Sequence, residues 1–148
     1  MKRILAFVFS VLIPLSALAE EASTDASATM IRPAGDIDLS EFLWINRPVV
    51  VFANSPADPQ FSEQMDLLTD EIEALRERDV VIITDTDPAA KSAVRQKLRP
   101  RGFMLVLIGK DGGVKLRKPL PWNVRELTRS IDKMPIRQRE IRERREDG

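Results

Sequence analysis

Three short apolar runs frame the chain. Residues 49–53 (Val-Val-Val-Phe-Ala), 80–84 (Val-Val-Ile-Ile-Thr) and 103–108 (Phe-Met-Leu-Val-Leu-Ile) are rich in β-branched side chains and lack polar alternation. That combination predicts strands buried on both faces of a sheet. Between the first two, Phe61, Met65, Leu68, Ile72 and Leu75 recur at steps of four and three, with Glu63, Asp66, Asp70 and Glu73 opposite. This is the stripe of a helix lying on a sheet. Asp58 caps that helix, with Pro59 in its first turn, where a missing N–H is harmless. Asp87 and Pro88 repeat the signal ahead of a second helix, with Ala90, Val94 and Leu98 on its inner face. Lys110-Asp111-Gly112-Gly113 predicts a tight hairpin into residues 114–117, which alternate apolar and polar as an edge strand does. Asn123 and Glu126 are spaced as a capping box, opening a third helix lined by Val124, Leu127, Ile131 and Met134. Leu39, Phe42 and Leu43, followed by Trp44, predict a short helical turn packed on the domain ahead of all of these.

The order β-α-β-α-β-β-α predicts a mixed sheet of at least four strands with helices on both faces: parallel where helices connect, antiparallel across the hairpin. This succession resembles the thioredoxin fold.

The chain's two ends read differently. Lys2 and Arg3 precede an almost unbroken apolar stretch over residues 4–15, and Ser16-Ala17-Leu18-Ala19 follows. Twelve residues span about 18 Å as a helix, too short for a hydrocarbon core of about 30 Å. The expectation is a signal peptide over residues 1–19, cleaved after Ala19, and an exported product in the periplasm or outside the cell without a stable membrane anchor. Cleavage leaves 129 of 148 residues. Residues 20–37 read as a flexible leader, 38–135 as the domain, and 136–148 as a charged, partly helical, solvated tail with Arg139–Glu143, Glu140–Arg144 and Arg142–Glu146 at helical spacing.

Composition then narrows the chemistry. The chain has no Cys, His or Tyr. Thiol redox chemistry is excluded, as are a Ser-His pair and an imidazole metal site. No cofactor is expected. Without Lys2 and Arg3 the basic and acidic side chains number 21 and 23, so the net charge is near −2, unlike a general nucleic-acid binder.

The stretches Leu98-Arg99-Pro100-Arg101-Gly102-Phe103, Leu107 to Arg117 and Ile131-Asp132-Lys133-Met134-Pro135-Ile136-Arg137-Gln138 resemble the thioredoxin-like family named domain of unknown function 4174. Arg47 to Ala53 fits its first strand. The resemblance covers roughly residues 39–142. It implies a fold akin to thioredoxins and peroxiredoxins, occurrence in small exported bacterial proteins, and kinship with a domain of extracellular sushi-repeat proteins. It brings no catalytic residues. Where a thioredoxin carries Cys-x-x-Cys, this chain has Asn54-Ser55-Pro56-Ala57-Asp58-Pro59-Gln60. Where the redox members have a cis-proline before the third strand, Phe103 and Met104 stand here, with Pro100 a few residues earlier.

Two groups of residues are candidates for binding. Asn54, Ser55 and Asp58 form either a groove that outlived its cysteines or simply a turn and a cap; Pro56 and Pro59 suit the latter. Arg99, Arg101, Lys110, Lys115 and Arg117 form either one receptor for an anion or acidic partner, or a row of charges that keeps an edge strand from aggregating. Asp132 and Arg137 predict an ion pair that fixes the tail, or else a docking segment, and Trp122 a lid on the core. Three readings of function stay open: a non-catalytic binding or adaptor domain for a protein or acidic peptide, a thiol-independent enzyme of unrecognised type, or an assembly protein docking through its tail.

Overall fold

The first strand is one that the apolar pattern does not announce. In the computed structural model, which describes residues 29–148, the chain runs through β1 (Ile31–Pro33), a 3-10 turn (Leu39–Phe42), β2 (Arg47–Phe52), α1 (Pro59–Asp70), α2 (Ile72–Arg76), β3 (Val80–Asp85), a second 3-10 turn (Pro88–Ala90), α3 (Ala93–Leu98), β4 (Met104–Ile108), β5 (Val114–Lys118), α4 (Val124–Asp132) and α5 (Pro135–Glu146). The expected signal peptide and the first part of the expected leader lie outside the described residues. The rest of that leader is not flexible: β1 pairs in parallel with β3, Ile31 opposite Ile82, and Ala34 and Ile37 are buried. Three residues are too few to show a period, and Pro33 reads as a breaker. On an edge strand its missing N–H removes no ladder bond.

The five strands lie in the order β1-β3-β2-β4-β5, with β1, β3 and β2 mutually parallel, β4 antiparallel to β2, and β5 antiparallel to β4. Alternate residues of the central strands feed two cores. Val49, Val51, Ile82, Leu105 and Leu107 pack with Leu68, Leu75, Leu127 and Ile131 from α1, α2 and α4. Val50, Phe52, Val81, Ile83, Val106 and Ile108 pack with Leu39, Phe42, Val94 and Leu98 on the other face. Burial on both sides is why these strands carry no polar alternation. The hairpin forms as expected: Gly112 takes φ +80, and Asp111 Oδ1 accepts from the Gly113 N–H at 3.0 Å.

Three features of the helices differ from the pattern. The stripe from Phe61 to Leu75 is shared by two helices, because Glu71 leaves helical geometry at φ −121. The second expected helix is also divided. Asp87 caps only the 3-10 turn, Lys91 turns left-handed at φ 49, and Ser92 caps α3 by accepting from the Arg95 N–H. Ala90 is therefore exposed rather than on an inner face. Finally, the segment read as a solvated tail is α5, and Arg137 on it is buried. The domain continues into this helix instead of ending at Pro135.

Candidate functional site

The loop from β2 into α1 is the corner where the fold's redox members carry their chemistry, and here its oxygens serve the backbone. Asp58 Oδ1 accepts from the Gln60 N–H at 2.9 Å, and Ser55 Oγ accepts from the Ala57 N–H at 3.1 Å. Asn54 and Ser55 are exposed and Asp58 is half-buried. No cis peptide bond occurs among the described residues, before β4 or elsewhere.

The five cations expected to act as one group are divided. Met104, at the start of β4, pairs with Phe52 at the carboxyl end of β2, so Arg101 precedes the strand at that end. Lys110 lies just beyond the other end of β4, in the hairpin, and Lys115 is in β5 beside that same end, opposite the bulge at Leu107 and Ile108. Five residues of strand, about 16 Å, separate the two ends. Arg117 Nη1 donates to the Leu98 carbonyl at 2.7 Å and ties β5 to α3. Lys115 pairs with Asp111 at 2.9 Å, while Lys110 holds Asp79 at 2.8 Å and Glu140 at 2.7 Å. Arg99, left-handed at φ 49, and Arg101 are exposed and make no side-chain hydrogen bond or ion pair among the described residues. They alone of the five remain open to an outside group.

Two polar clusters escaped the sequence reading. At the carboxyl end of β3, Asp85 is buried, with its carboxylate between Ser92 Oγ at 2.6 Å and Arg95 Nη2 at 2.9 Å. Arg95 also donates to the carbonyls of Ala53 and Asp85 and stacks over Phe52 at 5.3 Å. A cavity of about 190 Å3 opens beside this cluster against Ala34, Thr84 and Asp87. Burial pushes the Asp85 pKa up, but the bonds from Arg95 and Ser92 outweigh it and hold the carboxyl below its ordinary 3.8. The sequence signal was faint: an Asp closing a buried run, with a Ser and an Arg at cap spacing after it.

The second cluster joins α5 to the opposite end of the sheet. Arg47 is fully buried and donates to the Arg78 carbonyl at 2.9 Å and to Glu140 Oε1 at 3.1 Å. Asp132 receives two bonds from Arg78, both 2.9 Å, and a longer one from Arg137 at 3.4 Å. The ion pair expected between Asp132 and Arg137 is present, with Arg78 as the stronger partner. The Arg78 bonds lower the Asp132 pKa. For Glu140 burial pushes upward, but Lys110 and Arg47 win and hold it below 4.5. Carboxylates held ionised in this way are poorly matched to proton transfer near neutral pH. No group of three or more Asp, Glu, His or Cys is placed to hold a metal among the described residues. Trp122 packs on the first core as the expected lid, its ring under Lys118 Nζ at 4.7 Å.

Comparison with known families then decides the assignment. The model of a domain of unknown function, DUF4174, matches residues 38–140. The chain belongs to that family. Its DUF4174 domain thus includes Arg137 and reaches Glu140, the carboxylate that ties α5 to Arg47. Among solved structures the chain is similar to a Plasmodium vivax 2-Cys peroxiredoxin in its reduced form, with 15% identity over 70% of this chain and 85% of that one and a TM-score of 0.54. It is also similar to a yeast mitochondrial 1-Cys peroxiredoxin, with 20% identity over 72% and 97% and a TM-score of 0.50. A Plasmodium yoelii Prx1a gives 18% identity over 65% and 77%, again with a TM-score of 0.50. These likenesses establish a thioredoxin-like fold for the DUF4174 domain and nothing about its chemistry. A search of curated proteins finds no significant match.

Proposed function

We propose that this DUF4174 protein is an exported, non-catalytic binding domain whose partner is an acidic peptide or protein surface. The observation that carries the reading is the fold's reactive corner, which holds Asn54, Ser55 and Asp58 in a chain without cysteine, with the Ser55 and Asp58 oxygens engaged by backbone N–H groups. Arg99 and Arg101 support the choice of partner. Both are exposed and make no side-chain hydrogen bond or ion pair among the described residues, and their forked guanidiniums suit carboxylates.

The test is capture of acidic peptides and of envelope proteins by the wild type and by the Arg99→Glu, Arg101→Glu double variant. Charge reversal at two exposed positions is expected to weaken capture at least about tenfold, with the thermal transition nearly unchanged. Undiminished capture by the folded double variant contradicts the reading. Disulfide- or peroxide-reducing turnover by the purified protein contradicts its non-catalytic part. Export is checked separately: protein recovered from its native host is expected to begin at Glu20, and intact mass spectrometry that finds Met1 overturns that expectation.

A further inference from the structure

β5 ends the order of strands on one side: β4 pairs with one of its edges, and no described strand lies on the other. The ladder shows which backbone groups this leaves over. The N–H groups of Arg47, at the start of β2, and Ala53, just past its end, donate to the carbonyls of Asp79 and Asp85 on the β3 side. Successive residues of a strand point these groups to opposite sides, so the even-numbered residues of β2 turn toward β4. Val50 faces Val106 there, which leaves Leu105, Leu107 and Gly109 pointing at β5. The Gly109 N–H indeed donates to the Gly113 carbonyl at 2.9 Å. Leu116 and Lys118 lie opposite Leu107 and Leu105 and complete those bonds. Arg117, between them, turns its N–H and C=O away from the sheet.

Positive charge gathers on the same side. The chain has 23 basic and 23 acidic side chains, yet residues 88–125, which include α3, β4 and β5, hold ten Lys or Arg and one acid, Asp111. Lys115 takes Asp111, while Arg95 and Lys110 have partners elsewhere. Arg99, Arg101, Arg117 and Lys118 have no carboxylate partner among the described residues. Arg117 donates to the Leu98 carbonyl at 2.7 Å, which holds its guanidinium beside the turn that carries Arg99 and Arg101. Lys118 stands over the Trp122 ring at 4.7 Å. These charges collect where the end of β5 meets the start of β4. On the face opposite Arg117, Leu116 packs on the first core, and Leu120 just past the strand is 64% exposed. A second copy of β5 is a poor occupant of the edge: antiparallel pairing sets Arg117 against Arg117 or Lys115 of the other copy, and like charges directly opposite are destabilising. The charges that deter a neutral or basic edge favour an acidic one.

We propose that an extended acidic peptide adds to β5 as a sixth, antiparallel strand in which acidic and apolar side chains alternate. Its acidic side chains lie on the Arg117 face and reach toward Arg99 and Arg101, and its apolar ones lie on the face of Leu116 and Leu120. The residue opposite Arg117 exchanges both backbone bonds with it, so the acidic residues are the ones whose N–H groups face β5. Main-chain bonds supply affinity in such strand addition, and alternate side chains supply selectivity. The proposal rests on the acidic-partner reading and adds the mode of binding to it.

The experiment is titration of the isotopically labelled full chain with the capped peptide Glu-Val-Glu-Val-Glu-Val-Glu, followed by amide chemical shifts. Saturable shifts are expected at residues 114–118 and 99–101. N-methylation of the two central glutamates removes N–H groups aimed at β5 and is expected to weaken binding at least about tenfold. N-methylation of two valines, whose N–H groups face solvent, should leave affinity within about threefold of the parent. Lysine in place of every glutamate should abolish binding. Equal binding of the glutamate-methylated peptide overturns strand addition and leaves the acidic-partner reading standing, whereas equal binding of the lysine peptide overturns both. Strand addition is also overturned by the absence of saturable shifts or by shifts that map away from β5.

Discussion

Arg95→Met is expected to lower the stability of the domain by about 3–5 kcal/mol, the range for removing one partner of a buried ion pair. The Asp85 side chain is 4% exposed and that of Arg95 12%. Without the guanidinium, Asp85 keeps the Ser92 hydroxyl at 2.6 Å and the Asp87 N–H at 3.2 Å but has no counter-charge. The carbonyls of Ala53 and Asp85 lose a donor in the same step, and Phe52 loses the cation over its ring. A domain of this size has about 5–15 kcal/mol in total, so the variant should unfold at a markedly lower urea concentration, read by circular dichroism. Ser92→Ala removes one hydrogen bond and the α3 cap and should cost about 1–2 kcal/mol. Asp85→Asn combined with Arg95→Met should be less destabilising than the sum of the two changes, by about 1 kcal/mol or more, because the single variants share one interaction. A loss under about 1 kcal/mol for Arg95→Met would remove the cluster from the list of stability elements and make the neighbouring cavity a candidate for binding.

What could be read from the sequence follows from what leaves a local trace. The central strands were legible because burial on both faces forces unbroken apolar runs on residues 49–52, 80–83 and 105–108. Asp58 and Asn123 were legible because a cap is a contact over two or three residues. β1 was not, since its three residues gain order only from pairing with a strand some fifty positions away. The tail misled for a related reason. Spacing suggested that Glu140 pairs with Arg144, whereas in the structure it serves Arg47, 93 positions earlier, and Lys110. The basic candidates were grouped by proximity in sequence, but β4 separates Arg101 from Lys110 by its full length. Position along a strand is a tertiary fact. Spacing shows which face a residue takes, and it does not show which end of the sheet its charge will serve.

The tie between α5 and the sheet supplies the second large effect. Glu140→Ala leaves Arg47, with a side chain 1% exposed, without its counter-charge, while Lys110 keeps Asp79. The expected loss is about 3 kcal/mol, whereas Glu143→Ala, one turn further along the exposed part of α5, should stay within about 0.5 kcal/mol of wild type. The pH dependence separates this tie from ordinary packing. The Glu140, Asp132 and Asp85 carboxyls are all held below their ordinary values of 4.5, 3.8 and 3.8. A carboxyl with a depressed folded pKa contributes its full stability above the unfolded value and loses it as pH falls through the folded one. Wild-type stability should therefore hold from neutral pH down to about 4.5 and decline below it. Protonation of Glu140 and its replacement by alanine remove the same interaction, so the gap between wild type and Glu140→Ala should be full at pH 7 and clearly smaller by about pH 2.5. Urea midpoints measured at both pH values decide the point. A gap of constant size would mean that Glu140 holds α5 through its methylenes, with its charge contributing nothing.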